Sequence, residues 1–282
     1  MTAQILDGNE IARRVRTDVQ VRSEELRQRG VVPSLAFVRI GESAPAEVYV
    51  RRLERLAKHA GIEMMTLVLP EEIAAEEFGP ELAALDSDPR IDGIIVQMPL
   101  PVRLRGVPIG ELIDVRKDVD GATIHNAGRL YLGLPGQRPS TALAIVEVLD
   151  ASGTEISGSD AVIVGRSPVA GHPAAELLLA RNATITVTHR STQALAGHIR
   201  RADIVIAAAG APRLIRGDMI KPGATVVDAG INVTPDGIVG DVDFDSAVQT
   251  AGAITPVPGG VGPVTNAVLL RNVVESAERR SA

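Results

Sequence analysis

Apolar residues along this chain follow two rhythms, short β-branched runs and helical spacing, and the two alternate. Ile11, Val15, Val19 and Leu26 recur at helical spacing across residues 9–29, a segment that stops at Gly30. Residues 35–40 read as a strand, 44–60 as a helix closed by Gly61, 63–69 as a strand, and 73–85 as a helix ending before Pro89. Residues 93–98 form a further strand that runs into Pro99-Leu100-Pro101. Such alternation predicts a parallel sheet covered by helices.

Residues 101–139 are richer in Gly, Pro and charge and read as loop and crossover. Residues 141–149 read as a bridging helix. A second alternation follows: strand 161–164, helix 174–180, strand 184–188, helix 193–200, strands 204–208 and 225–228. A Pro/Gly-rich loop at 255–263 leads into a closing helix from about residue 264 to residue 279. The expected fold class is α/β in two domains with a cleft between them. Residues 1–139 plus 262–282 form an N-terminal α/β domain, and residues 140–261 a Rossmann-type domain.

Composition narrows the function classes. Aromatics are 2% of the chain, so the cores are built from Ala, Val, Ile and Leu, and base stacking on aromatic platforms is not expected. The formal net charge of −6 argues against nucleic acid or an anionic membrane as partner. The absence of cysteine removes disulfides, thiolate zinc sites and cysteine nucleophiles. The first ten residues show no signal-peptide pattern, and no run approaches the ~18 apolar residues of a membrane span. A cytoplasmic protein is expected. No metal site is expected either: the five histidines form no HxxxH cluster, and Asp241, Asp243 and Asp245 read as a polar loop.

The candidate chemistry concentrates at residues 161–173. Val162, Ile163 and Val164 end at Gly165-Arg166-Ser167, and a small-residue loop reaches Gly171 where a helical pattern begins. Strand, glycine turn and helix start together form an anion site. The spacing is G-x-S-x-x-x-G, and two readings stand: a nucleotide loop, or a tight turn without a ligand. At the end of the next strand, Thr188-His189-Arg190-Ser191-Thr192 contains no acid to bind a ribose 2′-hydroxyl. Arg190 and Arg166 can instead pair with a 2′-phosphate, which favours NADP; the alternative is a solvated loop.

Six separate stretches, in order, carry a family resemblance. They are Ala46-Glu47-Val48-Tyr49-Val50, residues 92–101 (Asp-Gly-Ile-Ile-Val-Gln-Met-Pro-Leu-Pro), Lys117-Asp118-Val119-Asp120-Gly121, Gly165-Arg166-Ser167, Asp228-Ala229-Gly230-Ile231-Asn232, and residues 255–263 (Thr-Pro-Val-Pro-Gly-Gly-Val-Gly-Pro). Along nearly its whole length the chain resembles the bifunctional methylenetetrahydrofolate dehydrogenase/cyclohydrolase family. The resemblance implies a folate-holding first domain, an NADP-binding second domain, a tetrahydrofolate derivative as substrate, and a homodimer. It implies oxidation of methylenetetrahydrofolate to the methenyl form with NADP, then hydration to formyltetrahydrofolate.

By position, the resemblance implies that Tyr49 lies along the folate ring, Gln97 bonds a polar neighbour, and Asp120 anchors the pterin through its N–H donors. Pro258, Gly259 and Gly260 would wall the folate site, while Gly165, Arg166, Ser167, Arg190, Ser191 and Ile231 would hold the cofactor. Bland readings accompany these: Tyr49 as a packing residue, Asp120 as a turn residue, the Pro-Gly run as a rigid loop.

One departure is chemical. Where the family carries a lysine one helical turn after the tyrosine, this chain has Leu53, with Gly61 still at its family distance. Leucine transfers no proton, and arginine at Arg52 or Arg55 is a poor base. The expectation is a dehydrogenase with doubtful cyclohydrolase activity. Ala122-Thr123-Ile124, residues 139–142 and Asn266 also drift, which leaves open a paralogue acting on another pterin or a non-catalytic folate- and NADP-binding protein.

Overall fold

The computed structural model describes residues 2–42, 44–235 and 237–281, apart from the side chains of residues 44–46. The chain divides into two units: Val15–Arg138 with Leu269–Ala282 (the first), and Met1–Arg14 with Pro139–Val268 (the second).

The chain starts with β1 (Gln4–Ile5) and α1 (Gly8–Gln28). The first unit then alternates β2 (Ser34–Ile40), α2 (Ala44–His59), β3 (Glu63–Leu69), α3 (Ala75–Ser87) and β4 (Gly93–Val96). Its strands are parallel in the order β3-β2-β4. Central β2 buries Leu35, Ala36, Phe37 and Val38 in succession, as a strand covered on both faces must. Ala36 and Val38 join Phe78, Leu82 and Ile94 in one core under α3. Strand alternation sends Leu35, Phe37 and Arg39 to the opposite face. Helix α2 covers that face: Tyr49 contacts Phe37, Glu54 accepts from the Thr66 hydroxyl at 3.0 Å, and Val50, Leu53 and Ala57 are buried.

Residues 101–139 are not all loop. They hold α4 (Ile109–Leu112) and α5 (Ile124–Tyr131). The Thr123 hydroxyl caps α5 by accepting from the Asn126 N–H at 3.2 Å, and Gly133 follows its end at φ +66°. Ile124, Tyr131 and Leu132 are exposed while Asn126 is buried, so burial in this helix does not follow its apolar spacing.

After α6 (Ser140–Ser152) the second unit runs β5 (Asp160–Val164), α7 (Gly171–Leu179), β6 (Thr184–Thr188), α8 (Leu195–Ile199), β7 (Ile204–Ala207) and β8 (Thr225–Asp228). A hairpin of β9 (Asn232–Thr234) and β10 (Gly237–Val239), a short α9 (Phe244–Ala247) and β11 (Ala253–Ile254) precede α10 (Val261–Ser281). The six-stranded parallel sheet has the order β1-β11-β8-β7-β5-β6. The chain steps from β5 outward to β6, then back past β5 to β7, so the winding reverses between β5 and β7. In open α/β sheets, ligands bind beyond the carboxyl ends of the strands at such a reversal.

The sequence reading assigned residues 1–14 and the start of the closing helix to the first domain; both fall in the second unit here. β1 pairs with β11 through Gln4↔Ala253 and Ile5↔Ile254, and the Gly8 N–H bonds the Gly259 carbonyl at 2.9 Å. A two-residue strand has no periodicity, and its partner is chosen in three dimensions. Among the described residues, no helix is long and apolar enough to cross a membrane.

Candidate active site

The carboxyl ends of β2 and β4 carry the first group of candidates. Tyr49, 40% exposed, lays its ring against Phe37, with centroids 6.1 Å apart and planes inclined by 51°. Burial, followed by the charge of Asp120, pushes its phenol up to about 12, with Arg52 acting in the opposite direction. Tyr49 is therefore a neutral O–H near neutral pH.

Gln97 leaves β4 with its N–H bonded to the Val38 carbonyl at 2.8 Å. Its Oε1 is buried and has no hydrogen-bond partner. Asp120 reaches the neighbourhood of Tyr49 on a loop that its neighbours build. The Ile94 N–H bonds the Lys117 carbonyl at 2.8 Å, which pins that segment beside β4. Asp118, buried, accepts from the N–H groups of Ala122 (2.9 Å) and Thr123 (2.8 Å) and from Asn126 Nδ2 (2.8 Å). Val119 packs so tightly on Gly93 that a Cβ there would lie 2.6 Å from its Cγ1. The buried carboxylate of Asp118 thus orders the turn that displays Asp120, a supporting role that only its place in the motif could suggest.

Leu53, one turn along α2 from Tyr49, is fully buried. The lysines of the chain are Lys58, Lys117 and Lys221. Lys117 donates to the carbonyls of Asp86 and Asp88, and Lys221 pairs with Asp203 in the second unit. Lys58 stands nine residues beyond Tyr49 on the same helix, roughly 13 Å along its axis. Within the first unit, no ammonium stands beside Tyr49.

The second group lies along the carboxyl edge of the other sheet. Gly165 ends β5 at φ +123°, where a Cβ would lie 2.0 Å from the Ala208 carbonyl oxygen; a Cβ on Gly171 would lie 2.3 Å from the Gly165 oxygen. Both glycines are therefore required by backbone packing. The start of α7 is also a weaker anion site than expected. The His172 N–H is taken by the Ser167 carbonyl at 3.1 Å, and Pro173 has no N–H to offer.

Positive charge at this edge comes from side chains. β5 and β6 pair as far as Val164↔Thr188, so Arg166 and Arg190, each two residues further on, emerge together. Both are exposed, and neither has an ion-pair partner among the described residues. Ser167 and Ser191 adjoin them, and the Ser191 N–H bonds His189 Nδ1 at 3.2 Å, which gives His189 a loop role. Ile231, 65% exposed, follows β8 at the same edge. No acid follows β6 to repel a 2′-phosphate, so this edge fits NADP.

Two buried carboxylates hold the edge, and the sequence reading missed them. Asp241 is fully buried, which corrects its reading as part of a polar loop. It accepts from the N–H groups of Ala209 (2.6 Å), Gly210 (2.9 Å) and Ala211 (2.9 Å) and from Asn232 Nδ2 (2.8 Å). Donors left open after β7 require such an acceptor. Asp243 immediately precedes α9 and Asp245 lies within it. Asp228 accepts from Gly230, Asp241 and Val242 N–H groups, yet burial outweighs these bonds and pushes its carboxyl up to about 6. Among the described residues, no group of His, Asp and Glu is arranged to hold a metal.

Pro258, Gly259 and Gly260 belong to the second unit and form a turn against the start of α1. A Cβ on Gly8 would lie 1.7 Å from the Gly260 oxygen, and one on Gly260 would lie 2.5 Å from the Pro256 oxygen. The structure thus gathers Tyr49, Gln97 and Asp120 in one unit and the cofactor candidates along one sheet edge of the other.

The chain matches two family models: the tetrahydrofolate dehydrogenase/cyclohydrolase catalytic domain over residues 6–120, and the NAD(P)-binding domain of the same family over residues 139–281. It is 46% identical over 280 residues to the bifunctional protein FolD of Bordetella avium, covering 99% of both chains. Among solved structures it resembles the bifunctional FolD methylenetetrahydrofolate dehydrogenase/cyclohydrolase of Campylobacter jejuni, with 39% identity, a TM-score of 0.96 and 99% of each chain covered. It also resembles the Trypanosoma brucei enzyme of that name, solved with NADP and an inhibitor, at 36% identity and a TM-score of 0.94 over 99% of this chain and 98% of that one. The chain belongs to the tetrahydrofolate dehydrogenase/cyclohydrolase family.

Proposed function

We propose that this protein oxidises 5,10-methylenetetrahydrofolate to the methenyl form with NADP, in one-carbon metabolism, and that it catalyses the following hydrolysis poorly. The observation that carries the division is the fully buried Leu53 beside Tyr49, in a unit whose lysines lie elsewhere.

Oxidation asks little acid–base chemistry of the protein. The substrate nitrogen lone pair expels hydride, and the protein must align the rings. Tyr49, backed by Phe37, offers an aromatic face to the cation that develops on the substrate. Asp120 accepts from the pterin N–H groups on a loop fixed by Asp118. Bound NADP supplies the hydride acceptor. Arg166, Ser167, Arg190 and Ser191 would hold its phosphates, with Ile231 as an apolar surface and Gly165 shaping the turn.

Hydrolysis needs a group that takes a proton from water. Tyr49 is held neutral, Arg52 stays charged, and Leu53 has nothing to exchange. Loss of a general acid–base group lowers rate by ~10²–10⁴-fold. The test is to assay both steps on the purified chain. NADP reduction with methylenetetrahydrofolate is expected, with methenyl hydrolysis near its spontaneous rate; efficient hydrolysis would refute the division. The reading includes a homodimer and a cytoplasmic location. The exposed apolar Val233 and Ile238 on the β9–β10 hairpin support self-association, which sedimentation velocity checks, as cell fractionation does the location.

A further inference from the structure

The face of the first unit that α2 covers holds a second cation that the resemblance does not account for. Arg39 lies in β2 two residues beyond Phe37, so its side chain emerges on the same face as the ring that supports Tyr49. In the parallel pairing of β2 with β4 the last matched residues are Val38 and Val96, and the Gln97 N–H continues the ladder by bonding the Val38 carbonyl at 2.8 Å. Arg39 and Gln97 are therefore the next register neighbours, one strand apart, about 5 Å between backbones. Each carries a buried polar atom without a partner. Arg39 leaves its Nε–H donor open, and Gln97 leaves its Oε1 acceptor open.

Unsatisfied buried groups are uncommon in native proteins, and each calls for an explanation. Here the two orphans are complementary in kind, one donor and one acceptor, and their residues hold neighbouring register positions on the face that carries Tyr49, although the two atoms do not bond each other in this structure. Leu53 stands on the covering helix where the resemblance places a cation, and Arg39 lies in the sheet strand beneath that helix.

We propose that Arg39 is a positioning residue of the folate site: when substrate binds, its guanidinium donates to the open Oε1 of Gln97 and presents fixed positive charge to the substrate, in place of an ammonium from α2. This rests on the folate reading above. A guanidinium donates hydrogen bonds in a rigid plane but does not release its proton in the working pH range. Arg39 can therefore hold Gln97 and attract a substrate carbonyl, and it cannot serve as the proton-transfer group of hydrolysis. The substitution pattern keeps the charge and discards the titration.

A double-mutant cycle tests this. Arg39→Met, Gln97→Met and the double variant are compared with the unaltered protein in tetrahydrofolate affinity by calorimetry, in kcat and KM for oxidation, and in melting temperature. Each single change is expected to lower affinity or kcat/KM roughly tenfold, as loss of a charge-assisted hydrogen bond does. The double variant should lose little more than either single one, because the two act as one unit. NADP affinity and melting temperature should hold, and Arg39→Lys should recover most of the loss. Additive losses overturn the proposal, as do unchanged kinetics with a raised melting temperature. Folate binding without turnover refutes the proposed function while the affinity cycle still decides Arg39; normal turnover without coupling refutes Arg39 alone. A chain that binds no folate refutes both.

Discussion

The two units use charge in opposite ways. In the second, carboxylates are buried as scaffolding, with Asp241 and Asp228 collecting backbone N–H groups, while Arg166 and Arg190 stand free at the sheet edge. In the first, a buried carboxylate also orders a loop, but the site face combines a neutral phenol, a buried leucine and two polar atoms without partners. Holding a phosphate-bearing ligand needs only permanent charge in the right place, and the second unit retains it. On the proposed reading hydrolysis needs a group that titrates, and the first unit carries the buried Leu53 where the family resemblance implies one.

Restoring the titrating group should break this contrast most strongly. Leu53→Lys is expected to raise methenyl hydrolysis by roughly 10²-fold or more and oxidation by less than about threefold, followed by the decay of methenyl absorbance. The gained activity should carry a new pH limb from the lysine. A variant that folds yet hydrolyses no faster would remove the lysine from the explanation.

The next effect tests the second unit's backbone crossing. Gly165→Ala places a methyl group 2.0 Å from the Ala208 oxygen at φ +123°. Overpacking together with a disfavoured backbone is expected to cost about 3 kcal/mol or more, read as an earlier midpoint in urea.

The buried carboxylates make a prediction about pH. The Asp228 carboxyl is raised to about 6 in the folded protein from 3.8. Its protonated form is therefore the one that folding favours. The stability from this group is complete below about pH 4 and is lost as pH rises through 6, on the order of 2–3 kcal/mol. Melting temperature measured from pH 4 to pH 7.5 should fall for the natural chain relative to Asp228→Asn, which has no such proton. Parallel curves would show that the carboxyl titrates normally.

The smallest effect sharpens the role of the sheet edge. Arg190→Ser should raise the KM for NADP about tenfold, the loss of one charge-assisted hydrogen bond, and leave that for NAD unchanged. Equal changes for the two would mean that Arg190 does not meet the 2′-phosphate.

Most long elements were legible because burial on both faces leaves a plain mark. Strands 63–69, 184–188 and 225–228 coincide with the observed ones, and the long first and last helices differ by a few residues at their ends. The elements that escaped were short or apolar on the wrong side. β1 and β11 have two residues each, and α5 exposes Ile124 and Tyr131, leaving the Thr123 cap as its one readable sign. That cap also gives a structural reason for one departure from the family pattern: Thr123 is buried and bonded, and it begins a helix.

By itself, the order of residues determined the α/β alternation, the absence of thiol chemistry, the acid-free end of β6 and the leucine in place of a lysine, because each is a property of identity or local spacing. Only the folded chain decided that Gly165 and Gly171 serve backbone packing, that Asp241 is an interior acceptor, and that Arg39 stands beside Gln97. Those facts depend on which strands become neighbours and which face each side chain takes, and a parallel sheet settles both through contacts between residues far apart in sequence.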